Sequence, residues 1–428
     1  MRKPLLLGLF ALSLLAAGVP PALAAPAESA ASKPLSFCIS NVGGQENQLC
    51  LHGLGQLDYR AHFFEDADAP KNGFDIRRAR LSLNGKLISW LSFKFEYEFS
   101  GTSSQRLMDA YADIRFSPWA ILRLGQEKEP FGLEQTTPDK DLIFAERSMG
   151  FAFLPNRDVG LVLHGAPFSG RVIYGLGVMN GTGPDGSTTG RVDDPIVVSR
   201  VSLLPFVTGE GILSGLLLGG SVAYGRVDAS NVELHVKTEG LTPFFDVASQ
   251  AKFNVVLDAG HKVLWGAEAA YSLGPIAVFG EYSHLDWEGI ITSRDEFDAE
   301  FRDAYGVVLW MITGEHPDFT KAVLAQVRPL RPLTEGGPGA IGLAARYDDF
   351  VGEKSVYDTL VVAGDSVREA KAVTVAANWW PVSLVKVLVE YTRTTFDQPL
   401  KIDRDPVKGT AIYTEAEDLA TVRFQFAF

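Results

Sequence analysis

Apolar and polar side chains alternate with a period of two along most of the chain from Gln48 onward, the spacing of β-strands with one apolar and one polar face. In the final stretch Val422, Phe424, Phe426 and Phe428 fall on one face, and Thr421, Arg423, Gln425 and Ala427 on the other. An aromatic row on a terminal edge invites aggregation in water, whereas a strand that closes a barrel in lipid requires it. Leu91, Phe93, Phe95, Tyr97 and Phe99 alternate in the same way with Ser92, Lys94, Glu96 and Glu98. Leu49, Leu51, Leu57, Tyr59 and Phe63 oppose His52, Gln56, Asp58, Arg60 and His62. Ala79, Leu81 and Leu83 oppose Arg78, Arg80, Ser82, Asn84 and Lys86.

Further strands are expected near 108–116, 121–126, 159–164, 171–179, 196–204, 216–226, 263–273, 276–284, 305–313, 340–348, 370–379 and 385–392. Asp109, Asp113 and Arg115 lie on the polar face of the first of these, and Arg123 on that of the second. Short turns such as Ser117-Pro118-Trp119 alternate with long polar loops, the asymmetry of an outer-membrane barrel. Trp90, Trp119, Trp379 and Trp380 collect near short turns, where an interfacial girdle would lie. The pattern is read as fifteen strands, and parity asks for an even number when both ends face the periplasm. Asn231 to Leu257 is therefore expected to hide one more. Gly314 to Gly339 runs long on the short-turn side, and the pattern offers no account of it. Glu127 to Arg157 lacks sustained alternation, and a long irregular segment inside a compact fold is usually functional.

The N-terminus changes the setting. A basic start at Arg2-Lys3, an apolar stretch Leu5 to Ala17 and the small-x-small site Ala22-Leu23-Ala24 predict a secretory signal peptide over residues 1–24. Residues 25–47 then form an N-terminal periplasmic segment and 48–428 the barrel, with 127–157 as its constriction loop. No apolar run long enough for a spanning helix follows, so a membrane crossing must use strands. Without the first 25 residues the chain keeps 37 Lys+Arg against 52 Asp+Glu, a balance of −15, which argues against a nucleic-acid partner. Cys38 and Cys50, twelve apart in an exported chain, are expected to form a structural disulfide. A catalytic thiol with His52 lacks a nucleophile signature, and Cys38, Cys50 and His52 lack a fourth metal ligand. The fold class expected is all-β: a transmembrane antiparallel barrel of about 16 strands with an inward-folded loop.

Several stretches carry a family resemblance: Phe74 to Leu81, Leu124 to Glu134, Glu146-Arg147, Asn156 to Gly160, Tyr174 to Gly181, Thr313 to Glu315, Ala344 to Tyr347, Asn378 to Trp380 and Arg423 to Phe428. In this order the chain resembles the phosphate-selective porin O and P family of Gram-negative outer membranes. The resemblance implies a sixteen-stranded barrel, usually a homotrimer, embedded in outer-membrane lipid by the barrel-assembly machinery and passing small anionic solutes such as phosphate or polyphosphate. Arg77 and Arg78 match the family's paired arginines, Glu98 its inward acid, and Arg123 and Lys128 its basic positions around the loop. The family's run of alternating arginines is missing, since only Arg191, Arg200 and Arg226 are scattered through strands eight and nine.

Two readings of the polar faces stay open. Arg77, Arg78, Arg80, Lys86 and Lys94 form a positive wall for anions, or they neutralise Glu96, Glu98, Asp109 and Asp113 across neighbouring strands. A pore reads the charges at its narrowest ring, so Arg78, Arg123 and Lys128 are expected to set a weak to moderate anion preference limited by Glu98. A general or cation-selective porin, and a barrel acting through its surface loops as adhesin or receptor, are the alternatives. Glu96 and Glu98 beside a lysine read as lumen charges rather than an acid/base pair, and His164 and His284 as solvated or strand-packed. No nucleophile elbow supports a hydrolase, and neither a metal nor a cofactor is expected.

Overall fold

A computed structural model describes residues 37–41, 47–63, 72–101, 106–181, 195–209, 211–226, 233–248, 256–258, 260–292, 296–352, 366–404 and 410–428. The expected signal peptide lies outside the described residues. A short strand, β1 (Phe37–Ser40), precedes the first nine barrel strands. These are β2 (Gln48–Phe63), β3 (Gly73–Ile88), β4 (Leu91–Glu98), β5 (Leu107–Ser117), β6 (Ala120–Lys128), β7 (Arg157–Gly165), β8 (Val172–Met179), β9 (Ile196–Leu203) and β10 (Leu216–Arg226). Three small strands intervene, β11 (Glu233–Lys237), β12 (Pro243–Ala248) and β13 (Val256–Asp258). The barrel resumes with β14 (His261–Leu273), β15 (Ile276–Thr292), β16 (Glu296–Met311), β17 (Ala340–Gly352), β18 (Glu369–Val382), β19 (Val385–Arg404) and β20 (Ala411–Ala427). Each barrel strand pairs antiparallel with the next, and β2 closes the ring on β20 from Leu54↔Ala427 to Phe63↔Asp418. The barrel is thus sixteen-stranded and all-β.

The alternation sorts side chains as lipid and water demand. On β20 Val422, Phe424 and Phe426 are 43%, 48% and 47% exposed on the outer wall, while Thr421, Arg423 and Gln425 are buried inside. Trp90, Trp119 and Trp379 are exposed near short turns, but Trp380 is buried, packed with Leu388 and Met311, and so does not belong to the girdle. On β3 a bulge opposite Gln56 and Leu57 leaves Arg77 as the extra residue. That break in register lets Arg77 and Arg78 both turn inward, which strict alternation forbids.

Two expectations need correction. The alternating segments already number sixteen without Asn231 to Leu257, and the described residues of that region add no further strand to the closed ring. Its described part is the start of β13, which pairs with the end of β15 at Val256↔Thr292, and the β11–β12 hairpin, which pairs only with itself, its Leu234, Val236, Phe244 and Phe245 buried with Phe301, Phe350, Met149 and Phe153. A run that alternates too weakly for the wall becomes filling inside it. The segment between β16 and β17 also acquires a role: Phe319, Ala322 and Leu324 are buried with Leu133, Ile143 and Phe144 of the irregular loop. The Leu324 amide donates to Thr137 Oγ1 at 3.3 Å, and Arg200 donates to the Ala322 carbonyl at 2.7 Å. Its length is that of a chain rising from the short-turn side to meet the loop.

At the seam, β1 pairs with the start of β2, Cys38 opposite Cys50, and the two cysteines are joined by a disulfide. Phe37 meets the Phe428 ring edge-on at 5.4 Å. Phe428 in turn lies over Gly53, where an added Cβ would collide with the ring. Deleting Phe428, or replacing Gly53 by Val to displace the ring, is therefore expected to lower the yield of folded barrel, measured as the heat-modifiable band in semi-native electrophoresis. An unchanged yield in both variants would refute a closing role for this contact.

Candidate functional site: the constriction loop and the vestibule beneath it

The irregular loop leaves the wall at Lys128 and rejoins it at Arg157, which face each other at the end of the β6–β7 ladder. Its own structure is slight: one short helix, α1 (Leu133–Thr136), and a 3₁₀ turn at Met149–Phe153. A loop inside a lumen still has to satisfy its backbone polar groups. Here the wall supplies the partners. Glu281 on β15 accepts the amides of Leu133 and Glu134, the latter at 2.8 Å. Glu390 on β19 accepts Ala145 N–H at 2.9 Å and Asp348 on β17 accepts Met149 N–H at 2.8 Å. On the carbonyl side, Lys386 donates to Leu142 at 2.6 Å, Asn378 to Ile143 at 3.0 Å, Arg423 to Ala145 at 2.5 Å and Arg346 to Glu146 at 3.0 Å.

Two loop carboxylates collect the wall's arginines. Glu146 accepts from Arg60 at 2.7 Å, from Arg77 at 2.7 and 2.9 Å, and from Arg423 at 3.2 Å, with Arg78 at 3.7 Å. Burial pushes its carboxyl up, but Arg77, Arg78, Arg60 and Arg423 outweigh that and hold it well below the usual range. Asp139 is paired to Arg80, to Arg147 at 2.5 Å and to Arg78 at 3.6 Å. It too is held well below the usual range, Arg147, Arg78 and Arg80 outweighing its burial. Glu129 is the opposite case, pushed up to about 8 by burial first and by Asp158 second.

Beneath the loop lies a cavity of about 670 Å³, bounded by strands β2 to β9, by Pro130, Thr136, Pro138, Asp139 and Lys140 of the loop, and by Lys321 of the β16–β17 segment. Of the residues expected to line a pore, Arg80, Lys94, Glu96, Asp109, Arg123 and Lys128 lie on its wall. The structure places the other six elsewhere. Arg77 and Arg78 are spent on Glu146 and Asp139, and Glu98 is buried against Arg80 Nε at 2.7 Å and the Ala79 and Ser100 amides. Asp113 stands behind Arg123, which it binds at 2.6 Å, while Lys86 and Arg115 are exposed outside the cavity lining. The expected convergence of Arg78 with Arg123 and Lys128 therefore does not occur, because Arg78 is drawn to the loop's acids.

Sequence reasoning did not assign Lys140, Arg157, Arg200 and Lys321 to this wall, nor Tyr111, over whose ring Arg123 sits at 3.8 Å. The signal for Arg200 was its inward position on β9, and none existed for Lys321. In all the wall carries eight Lys or Arg and four Asp or Glu. Arg200 is fixed by Glu268 at 2.6 Å, Lys94 by Asp109 at 2.6 Å and Arg157 by Asp109 at 2.8 Å. Lys128 Nζ donates to the Gln135 and Thr137 carbonyls at 3.0 and 3.4 Å. Among the described residues no carboxylate lies within salt-bridge distance of Lys128 or Lys321.

The chain matches the family model described as Phosphate-selective porin O and P over residues 51–428. No curated protein matches it. Among solved structures, an anion-selective porin from Comamonas acidovorans is similar at 13% identity and TM-score 0.54, covering 90% of this chain and 100% of its own. OprB from Pseudomonas putida has 9% identity and TM-score 0.55, covering 89% and 94%. OmpF from Salmonella typhi, in complex with daunomycin, has 12% identity and TM-score 0.53, covering 89% and 98%. At these identities the structural likeness speaks for the barrel fold.

Two outcomes test the loop's anchoring. Glu146→Ala takes a carboxylate from Arg77 and a shared partner from Arg60, Arg78 and Arg423, and removing one partner of a buried ionic network costs about 3–5 kcal/mol. The variant should unfold at lower denaturant and show noisier single-channel current; unchanged values of both would refute Glu146 as the anchor. For Glu129 the folded protein holds the proton between the ordinary value of 4.5 and about 8, where the unfolded chain has lost it. Its stabilising contribution is complete below 4.5 and lost as pH rises through about 8. Glu129→Gln should flatten the wild-type decline in melting temperature across that window, and parallel curves would count against it.

Proposed function

The chain belongs to the phosphate-selective porin O and P family, and on that premise we propose that its outer-membrane channel prefers small anions weakly, with the vestibule beneath the constriction loop as the selecting surface. As a Gram-negative outer-membrane porin it forms a passive water-filled channel. The observation that carries the preference is the lining itself, eight cationic side chains against four carboxylates in a protein of net negative charge. A solute in the vestibule meets that lining first, and charges beyond about 10 Å are screened. At 4 Å and an effective dielectric of 20, one unpaired charge contributes about 4 kcal/mol to a passing ion.

The preference is weak because Glu98, Asp113, Asp141 and Glu268 stand behind Arg80, Arg123, Lys140 and Arg200 and cancel much of their field. Lys321, exposed and without a carboxylate within salt-bridge distance among the described residues, is the least compensated cation. The same compensation favours a second reading, a general diffusion pore. Phosphate or polyphosphate is a natural permeant under the first. The anion selectivity of the Comamonas acidovorans porin, which shares this barrel, supports that reading, and a similar Vibrio cholerae barrel described in a trimer form supports a homotrimer here.

The reversal potential across a planar bilayer in a tenfold salt gradient decides. Wild type should give the sign of an anion-preferring pore, and Lys321→Glu with Lys140→Glu should move it toward cations. A cation-preferring wild type, or no movement in the double variant, overturns the assignment.

A further inference from the structure

Away from the lumen, His284, Asp286 and Glu300 gather three donor groups on the outer face of β15 and β16. Asp286 stands directly opposite Glu300 in the strand pairing, and His284 lies two residues earlier on the same face. His284 Nε2 is 3.0 Å from Asp286 Oδ1 and 3.5 Å from Glu300 Oε1, and all three donors lie within 4.8 Å of one another. Ligands about 2.1 Å from a tetrahedral zinc ion are about 3.4 Å apart, so His284 Nε2 already stands near coordination spacing from each carboxylate.

The imidazole is oriented from its other sides. Its Nδ1 is 3.3 Å from the Tyr282 hydroxyl, and the Trp265 ring stacks on it at 5.3 Å and 28°. With Nδ1–H donating to Tyr282, Nε2 presents its lone pair between the two carboxylates, the way a supporting hydrogen bond fixes the tautomer of a metal ligand. Like charges facing each other across a strand pair destabilise a sheet. Among the described residues, His284 is the one group with a basic nitrogen within 4 Å of either carboxylate. Arg302, opposite His284 in the register, reaches neither.

We propose that His284, Asp286 and Glu300 bind one divalent transition-metal ion of the zinc class, with the remaining coordination open to water. An imidazole donor with two carboxylates suits zinc better than calcium or magnesium, which take oxygen ligands. The half-exposed Glu300 and Asp286 leave the ion a path from solvent. Trp265 and Tyr282 pack on each other at 5.2 Å beside the site, and the bound ion ties β15 to β16.

The test is calorimetric titration of the untagged barrel in detergent with zinc chloride, in a buffer that does not chelate. The expected result is one saturable zinc per protomer, loss of that site in His284→Ala, and affinity about tenfold weaker in Tyr282→Phe. Glu300→Gln, a change at an exposed position, gives a second variant should His284→Ala not fold, and it should also lose the site. Folding of each is checked by heat-modifiable mobility. Absence of saturable zinc binding in the wild type, or unchanged binding in folded His284→Ala or Glu300→Gln, overturns the proposal.

Discussion

An irregular loop held inside a lumen must find hydrogen-bond partners for its backbone, and that constraint governs the interior of this barrel. In helices and strands the backbone satisfies itself. Between Lys128 and Arg157 it does so over little more than one helical turn, and the wall supplies the rest. Glu281, Asp348 and Glu390 take amides, while Lys386, Arg346, Asn378 and Arg423 give to carbonyls. These polar groups sit on the inward face of β15 and β17 to β20. Part of the wall's polarity therefore exists to hold the loop and is not available to solutes.

The same economy explains the charge pattern. Arg60, Arg77, Arg78 and Arg423 converge on Glu146, and Arg80, Arg78 and Arg147 on Asp139. Each such pairing fixes the aperture and removes a cation from the surface that a solute meets. Rigidity and field strength compete for the same arginines. In this chain the stretch of wall made by β2 and β3 is given largely to rigidity, while Lys94, Arg123 and Lys128 on β4 and β6 stay partly exposed on the vestibule wall.

Strand positions were legible because lipid outside and water inside impose one alternation everywhere, as Val422, Arg423, Phe424 and Gln425 show. What could not be read depends on departures from that rule or on contacts distant in sequence. A bulge turned Arg77 inward. The β11–β12 hairpin was mistaken for wall, since short apolar strands look alike whether they face lipid or a packed interior. The basic residue types were visible, but which of them face solute was decided by the partners of Glu146 and Asp139, and no periodicity encodes that choice. Lys321 came from a connection with no period at all.

The seam carries a consequence for how the molecule is made. β1 occupies the edge of β2 over Gln48–Leu51, and β20 occupies the same edge from Leu54 onward, so the two ends of the described chain lie head to tail in one groove. Contacts between β2 and β20 join residues more than 350 positions apart, the longest loop closure among the described strand pairings. Until β20 arrives, β2 presents an open edge along its lipid-facing length, while its lower part is already covered by a strand tethered through Cys38 and Cys50. The covered part marks off where the last strand must stop, so β1 acts as a gauge for the register at which the ring closes.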